Sequence, residues 1–141
     1  NIIPKFLRLY FGNSLNNLEL SVLNKRIKFT MILDQLKTSP TTINFKEVIA
    51  YIDEHYDFVP TKFRNGTAVN EAGENNGSCK IFSFAKLKGL NEEETLALFG
   101  DFYRTDVLAN PEGSDHQNIR NFMQYGWDGI AFEGQALAKK D

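Results

Sequence analysis

Two segments of this chain hold residues whose types and spacing could do chemistry. The first runs from Asn70 to Lys80 (NEAGENNGSCK) and is almost wholly polar. A Gly- and Asn-rich loop that leads into a helix N-terminus can aim several backbone N–H groups at one point, which suits an anion or a carbonyl oxygen. Asn70, Glu71, Asn75, Asn76 and Lys80 are its candidate ligand-binding residues. The GxxxxGK[ST] spacing of a phosphate-binding loop is missing, so the segment does not point to a nucleotide. The alternative is a long loop held by asparagines that bond their own backbone. The second segment runs from Glu112 to Asn121 (EGSDHQNIRN). Asp115 and His116 fall at the start of a predicted helix, and His116 and Arg120 are four apart and share a face. Arg120 could grip a carboxylate or phosphate with two parallel N–H bonds. Equally, it could pair with Glu112, Asp115 or Glu71 as a structural ion pair. Asn121 adds one more amide.

A third possibility is nucleophilic. Cys79 falls in the first turn of a predicted helix, where the dipole lowers a thiol pKa. With His116 as base and Asp115 as orienter it could serve a hydrolase or acyl transferase. The alternative is a small buried cysteine under its helix. Two His and one Cys are too few for a closed zinc site. Glu112, Asp115 and His116 are adjacent but show no recognised ligand spacing, so neither metal nor cofactor is expected. His55 is expected on the polar side of its helix, solvated.

The elements that must position these residues read clearly from Thr30 onward. Thr30 can N-cap a short helix from Met31 to about Thr38, ended by Ser39-Pro40. Asn44 and Glu47 form a variant capping box for a helix with Phe45, Val48, Ile49, Ile52 and Tyr56 on one stripe. Residues 58–69 split at Asn65-Gly66 into a hairpin. Ser78 is expected to cap a helix from Cys79 to Lys88, closed by Gly89. Asn91 and Glu94 make a capping box for a helix running to about Leu108. Ser114 and Gln117 make another, for a helix with Ile119, Phe122 and Met123 inward and Gly126 at its end. Residues 127–132 alternate as a third strand, Gly134 closes it, and the tail is polar. The expected fold class is α+β, a small antiparallel sheet of about three strands packed with four to five helices. Phe82, Phe99, Phe102, Phe122 and Trp127 are expected in one buried cluster; Phe is the unusual entry in the composition, with 12 in 141 residues.

The charge is uneven. Residues 1–30 carry +4 and residues 31–141 carry −6. An acidic main body is a poor match for nucleic acid. A single Cys excludes an internal disulfide and fits a reducing, cytoplasmic compartment. No apolar run approaches a membrane span. Phe, Ile, Lys, Asn, Leu and Tyr make up 21 of the first 30 residues, Ala is absent there, and the chain opens on Asn rather than Met. Two readings stand: Met31 is the natural start and 1–30 is upstream DNA read as protein, or 1–30 is an amphipathic leader. The expected organisation is an atypical extension, 1–30, and a single domain, 31–138.

From Met31 to about Leu137 the chain resembles the HopJ type III effector family of small bacterial proteins. The resemblance is carried by residues 69–80 (VNEAGENNGSCK), 110–123 (NPEGSDHQNIRNFM), Gly126-Trp127 and 132–135 (FEGQ). It implies no agreed enzymatic activity, so no catalytic residues carry over. It also implies that the chain could be secreted through a type III system and act in a host cell, although such proteins also occur in bacteria with no evident need for export. The leading expectation is a binding module whose two polar segments meet to hold a small anionic or amide-bearing partner, or a protein. The alternative is the Cys79 enzyme with His116 as base.

Overall fold

The computed structural model describes residues 15–140. The chain divides into two units, residues 1–34 and 35–141. In the first, helix α1 begins; it spans Asn17–Thr38. Asn16 starts it with a reciprocal box: its Oδ1 accepts from the Glu19 N–H at 2.8 Å, and Glu19 Oε2 accepts from the Asn16 N–H at 3.1 Å. A helix start at Met31 is therefore corrected. Thr30 lies inside α1 and its hydroxyl donates back to the Arg26 carbonyl at 2.8 Å, the side-chain habit that makes a good cap mimic a good mid-helix residue. Among the described residues before Leu36 none is buried. The rest of the 1–30 expectation, residues 1–14, lies outside the described residues.

The main unit holds the core. Helix α2 (Phe45–His55) starts under Asn44, as its sequence predicts, and buries Val48, Tyr51, Ile52 and His55 at spacings of 3, 1 and 3. His55 is thus inside and not solvated, its ring against Tyr51 at 4.4 Å. Tyr56 leaves the helix and opens strand β1 (Tyr56–Phe58). Strands β2 (Phe63–Asn65) and β3 (Ala68–Asn70) form the hairpin, turning on Gly66 with φ +61°. A side chain at Gly66 would run into the Tyr125 ring, so the turn needs glycine for space as well as for φ. Helix α3 (Asn76–Lys88) begins three residues before the expected start, and Gly89 ends it in the left-handed conformation. Helix α4 (Glu92–Ala97) carries the full Asn91/Glu94 capping box. It does not reach Leu108. Gly100, at φ +59°, turns the chain, and a π-helical stretch, Phe102–Val107, follows.

Helix α5 (Gln117–Tyr125) has no Ser114 cap; the Gln117 amide instead donates to the Ser114 carbonyl at 2.6 Å. Met123 faces outward, 45% exposed. Residues 126–129 form a 3-10 turn, so the third strand shortens to β4 (Ile130–Phe132). The tail, which reads only as polar, adds β5 (Leu137–Lys139), whose Leu137 is buried. Two small antiparallel sheets result, one ordered β3-β2-β4 and one pairing β1 with β5. The fold is α+β, as the sequence implies. Phe82 sits at the centre of the core, its ring 4.9 Å from Phe122, 5.4 Å from Phe99, 6.2 Å from Phe63 and 6.4 Å from Trp127. Phe102 departs from the expected cluster: it is 40% exposed, because the π-helical stretch turns it toward a cavity. Among the described residues no helix is long and apolar enough to cross a membrane.

Candidate functional site

Helices α3 and α5 start side by side. Each is preceded by a non-glycine residue in left-handed backbone, Asn75 at φ 52° and His116 at φ 50°, and among the described residues no side chain caps either helix. Left-handed backbone is costly for a residue with a Cβ and is held only where surrounding structure imposes it. Here an asparagine network imposes it. Asn70 and Asn118 exchange amide bonds at 2.9 and 3.0 Å. Asn65 donates to the Asn118 carbonyl at 2.8 Å and to its side-chain oxygen at 3.1 Å. Asn75 then donates to Asn70 Oδ1 at 2.7 Å. Asn65, Asn70 and Asn118 are buried, so the hairpin end, the 70–78 loop and the start of α5 are tied together through amides shielded from water.

The two helix starts open on one cavity of about 330 Å3. Asn75, Gly77 and Ser78 line it from α3, and His116, Gln117 and Asn118 from α5. Phe45, Phe99, Phe102 and Ile119 form its apolar wall. The first turn of a helix presents N–H groups with no intrahelical partner and carries the positive end of the dipole, so this cavity is lined by two such ends and by aromatic rings. His116 stands at its rim. Its ring packs 5.1 Å from Phe102, and its Nε2 is 2.9 Å from Asp106 Oδ2 and 3.8 Å from Asp115 Oδ2.

Of the residues singled out from sequence, Asn70, Asn75, Asp115 and His116 come together here. Asn76 is the exposed first residue of α3. The others do not join them. Arg120 does not reach Glu71: its guanidinium wraps the 110–115 turn, donating to the carbonyls of Asn110 at 2.9 Å and Asp115 at 2.6 Å and to Asp115 Oδ1 at 2.6 Å. That contact holds the Asp115 carboxyl below the usual carboxylate range. Glu71 pairs with Lys62 at 3.6 Å. Lys80 pairs with Asp53 at 2.8 Å and lies over the Phe58 ring. Asn121 is buried on α5, outside the cavity lining. Cys79 is buried and its thiol donates to the Thr61 carbonyl at 3.6 Å rather than to His116. Burial pushes that thiol up, the reverse of what an activated nucleophile needs.

Sequence reasoning missed Asn65 and Asp106 as members of the site, and the aromatic wall; Asn118 falls in the polar 112–121 segment but was given no binding role. Asn65 reads as a turn residue. Asp106 lies in what looks like the polar face of a continuous helix, and only the break at Gly100 brings it to His116.

A comparison with curated proteins finds no match. Among solved structures, the crystal structure of VPA0580, a protein of unknown function, is similar with a TM-score of 0.77 at 49% identity, covering 92% of this chain and 98% of that one. Residues 29–137 match the family described as HopJ type III effector protein, a span that contains both helix starts and the whole asparagine network, and the chain belongs to that family.

Proposed function

We propose that this protein is a binding module for a small anionic ligand with an apolar body, a carboxylate or phosphate ester in the lower range of small-molecule size. The observation that carries this reading is the convergence of two uncapped helix starts, each behind a left-handed non-glycine residue, on one aromatic-walled cavity. Backbone N–H groups there would meet the charged group, and Phe45, Phe99 and Phe102 would cover the rest. The cavity volume of about 330 Å3 lies at the small end of ligand sites. No nucleophile is required, and Cys79 takes no part.

The experiment is a titration of isotopically labelled protein with phosphate, benzoate and phenyl phosphate, read by amide chemical shifts. The amides of Asn76, Gly77, Ser78, Gln117 and Asn118 should move together and saturate, with phenyl phosphate or benzoate tighter than inorganic phosphate. Ser78→Asp should abolish the shifts. It places a carboxylate where the ligand's would sit, yet an acid in the first turn of a helix stabilises by about 0.3–1 kcal/mol, so lost binding would not reflect lost folding. Shifts scattered over the surface, or an unaffected Ser78→Asp, would remove the reading.

The family description favours one further statement about place of action: delivery through a type III system, with the cavity working in a host cell. A translocation reporter fused to the full chain tests it, and export that persists in a strain lacking the secretion apparatus would count against it.

A further inference from the structure

We propose that Asp106, Asp115 and His116 form a binding site for a divalent first-row transition-metal ion. One ligand atom from each of the three lies within 4.8 Å of the other two. His116 Nε2 is 2.9 Å from Asp106 Oδ2 and 3.8 Å from Asp115 Oδ2. An ion holds such donors about 2.0–2.2 Å away, which places them about 3.0–3.5 Å from one another, so the set closes around one with a side-chain shift of about an ångström. Asp115 can make that shift, because its side chain is 56% exposed.

The donors come from two pieces of backbone: Asp106 from the π-helical stretch, and the consecutive Asp115 and His116 from the turn that leads into α5. Arg120 binds Asp115 Oδ1 at 2.6 Å and leaves Oδ2 to face the histidine. Fixing one oxygen of a ligating carboxylate from behind is the usual role of a supporting residue at a metal site. The donor set is one imidazole nitrogen and two carboxylate oxygens. Calcium and magnesium prefer oxygen alone and copper(I) prefers sulfur, so zinc, manganese, iron(II) and cobalt(II) are the ions that fit. Charge points the same way. Arg120 answers Asp115, while Asp106 has as its partner His116, which is neutral unless protonated. Two carboxylates beside an anion cavity would repel its ligand, and a divalent ion at the rim reverses that field. Three protein donors also leave at least one coordination position for water or another ligand, and His116 lines the cavity. The proposal stands without the anion reading, since the ion can bind with the cavity vacant.

The test uses the full chain stripped with a chelator. Calorimetry with Zn2+ and visible absorption with Co2+ should each report one saturable site. Asp106→Asn and His116→Gln should each weaken it by at least about tenfold, while Cys79→Ser leaves it unchanged. Thermal melts monitor folding of every variant; if Asp106→Asn folds poorly, Asp115→Asn, at an exposed side chain, carries the same expectation. Absence of a saturable site at micromolar metal, or equal affinity in the wild type, His116→Gln and the folded aspartate variant, would overturn the proposal. Anion shifts without metal, or metal binding without anion shifts, separate its failure from that of the anion reading.

Discussion

Four helix starts in the main unit fall into two pairs, and asparagine stands at three of the four. At α2, Asn44 has extended backbone and its Oδ1 accepts from the Glu47 N–H at 3.2 Å. At α4, Asn91 accepts from the Glu94 N–H at 2.7 Å and the Glu94 carboxylate returns to the Asn91 N–H at 3.0 Å. At α3, Asn75 is left-handed, and its amide turns away to Asn70. At α5 the left-handed residue is His116, whose ring turns away to Asp106. Residue type is therefore not what separates the pairs. Extended backbone lets an asparagine fold over the first turn and satisfy it, whereas left-handed backbone leaves the turn open. The capped starts finish a helix. The open starts line one cavity, and the strain that keeps them open is carried by a buried amide network.

The strongest way to break this contrast is to cut the network at its centre. Asn118→Ala removes both side-chain bonds to Asn70 and the second acceptor of Asn65, which keeps only the Asn118 carbonyl, and leaves a buried amide-sized gap. The expected loss is about 2–4 kcal/mol by chemical denaturation. A loss below about 1 kcal/mol would mean that something other than the network holds Asn75 and His116 in place. Next in size is a capped start. Asn91→Ala should cost about 1 kcal/mol and leave the amide shifts of the anion titration unchanged, because that cap serves α4 alone. An altered titration would mean the two kinds of helix start are not separable.

The capped starts were legible in the sequence because capping is local: Asn44 with Glu47 and Asn91 with Glu94 are three residues apart, and the residues involved need nothing else. The open starts were not. The 70–80 and 112–121 segments stand out as too polar for connectors, and that much was readable. Which helix start each asparagine would serve depended on a left-handed backbone imposed by partners 48 and 53 residues away in sequence, through Asn70–Asn118 and Asn65–Asn118. Short range also explains the errors. Thr30, Ser78 and Ser114 all have good cap chemistry in the right local setting, and none of them caps a helix. Arg120 was legible either as a grip or as a structural partner of Asp115; it pairs with Asp115 and holds the carbonyls of its own turn. The short strand β5 was missed because three residues, Leu137-Ala138-Lys139, are too few to carry a period; pairing with β1 makes it a strand.

A smaller effect is expected at Cys79. Burial raises its thiol pKa from the usual 9.0, so the fold favours the neutral thiol. The stability tied to that preference is full below the ordinary thiol range and is lost as pH rises through the raised value. Cys79→Ala should therefore flatten the alkaline end of the stability profile without touching anion binding. In the native chain, alkylation of Cys79 should be far slower than in the denatured chain. Rapid native alkylation at neutral pH would return the thiol to consideration as a reactive group.

The smallest effect should come from α1. Its start is a capped one, with the Asn16/Glu19 box, so the cap serves its own helix. Among the described residues the first buried one is Leu36, beyond the 1–30 segment whose composition differs from the rest. We propose that residues 1–30 are dispensable for the fold. A chain starting at Met31 should melt cooperatively, with a Tm within a few degrees of the full chain, and should bind the same anions. Loss of a capping box at a helix end costs about 1 kcal/mol, which for a domain of this size is roughly 4 °C or less. A loss above about 3 kcal/mol would require buried contacts made by the removed segment. Unchanged stability with weakened anion binding would be the more damaging result, because it would tie a capped helix start to the cavity and dissolve the division between the two kinds.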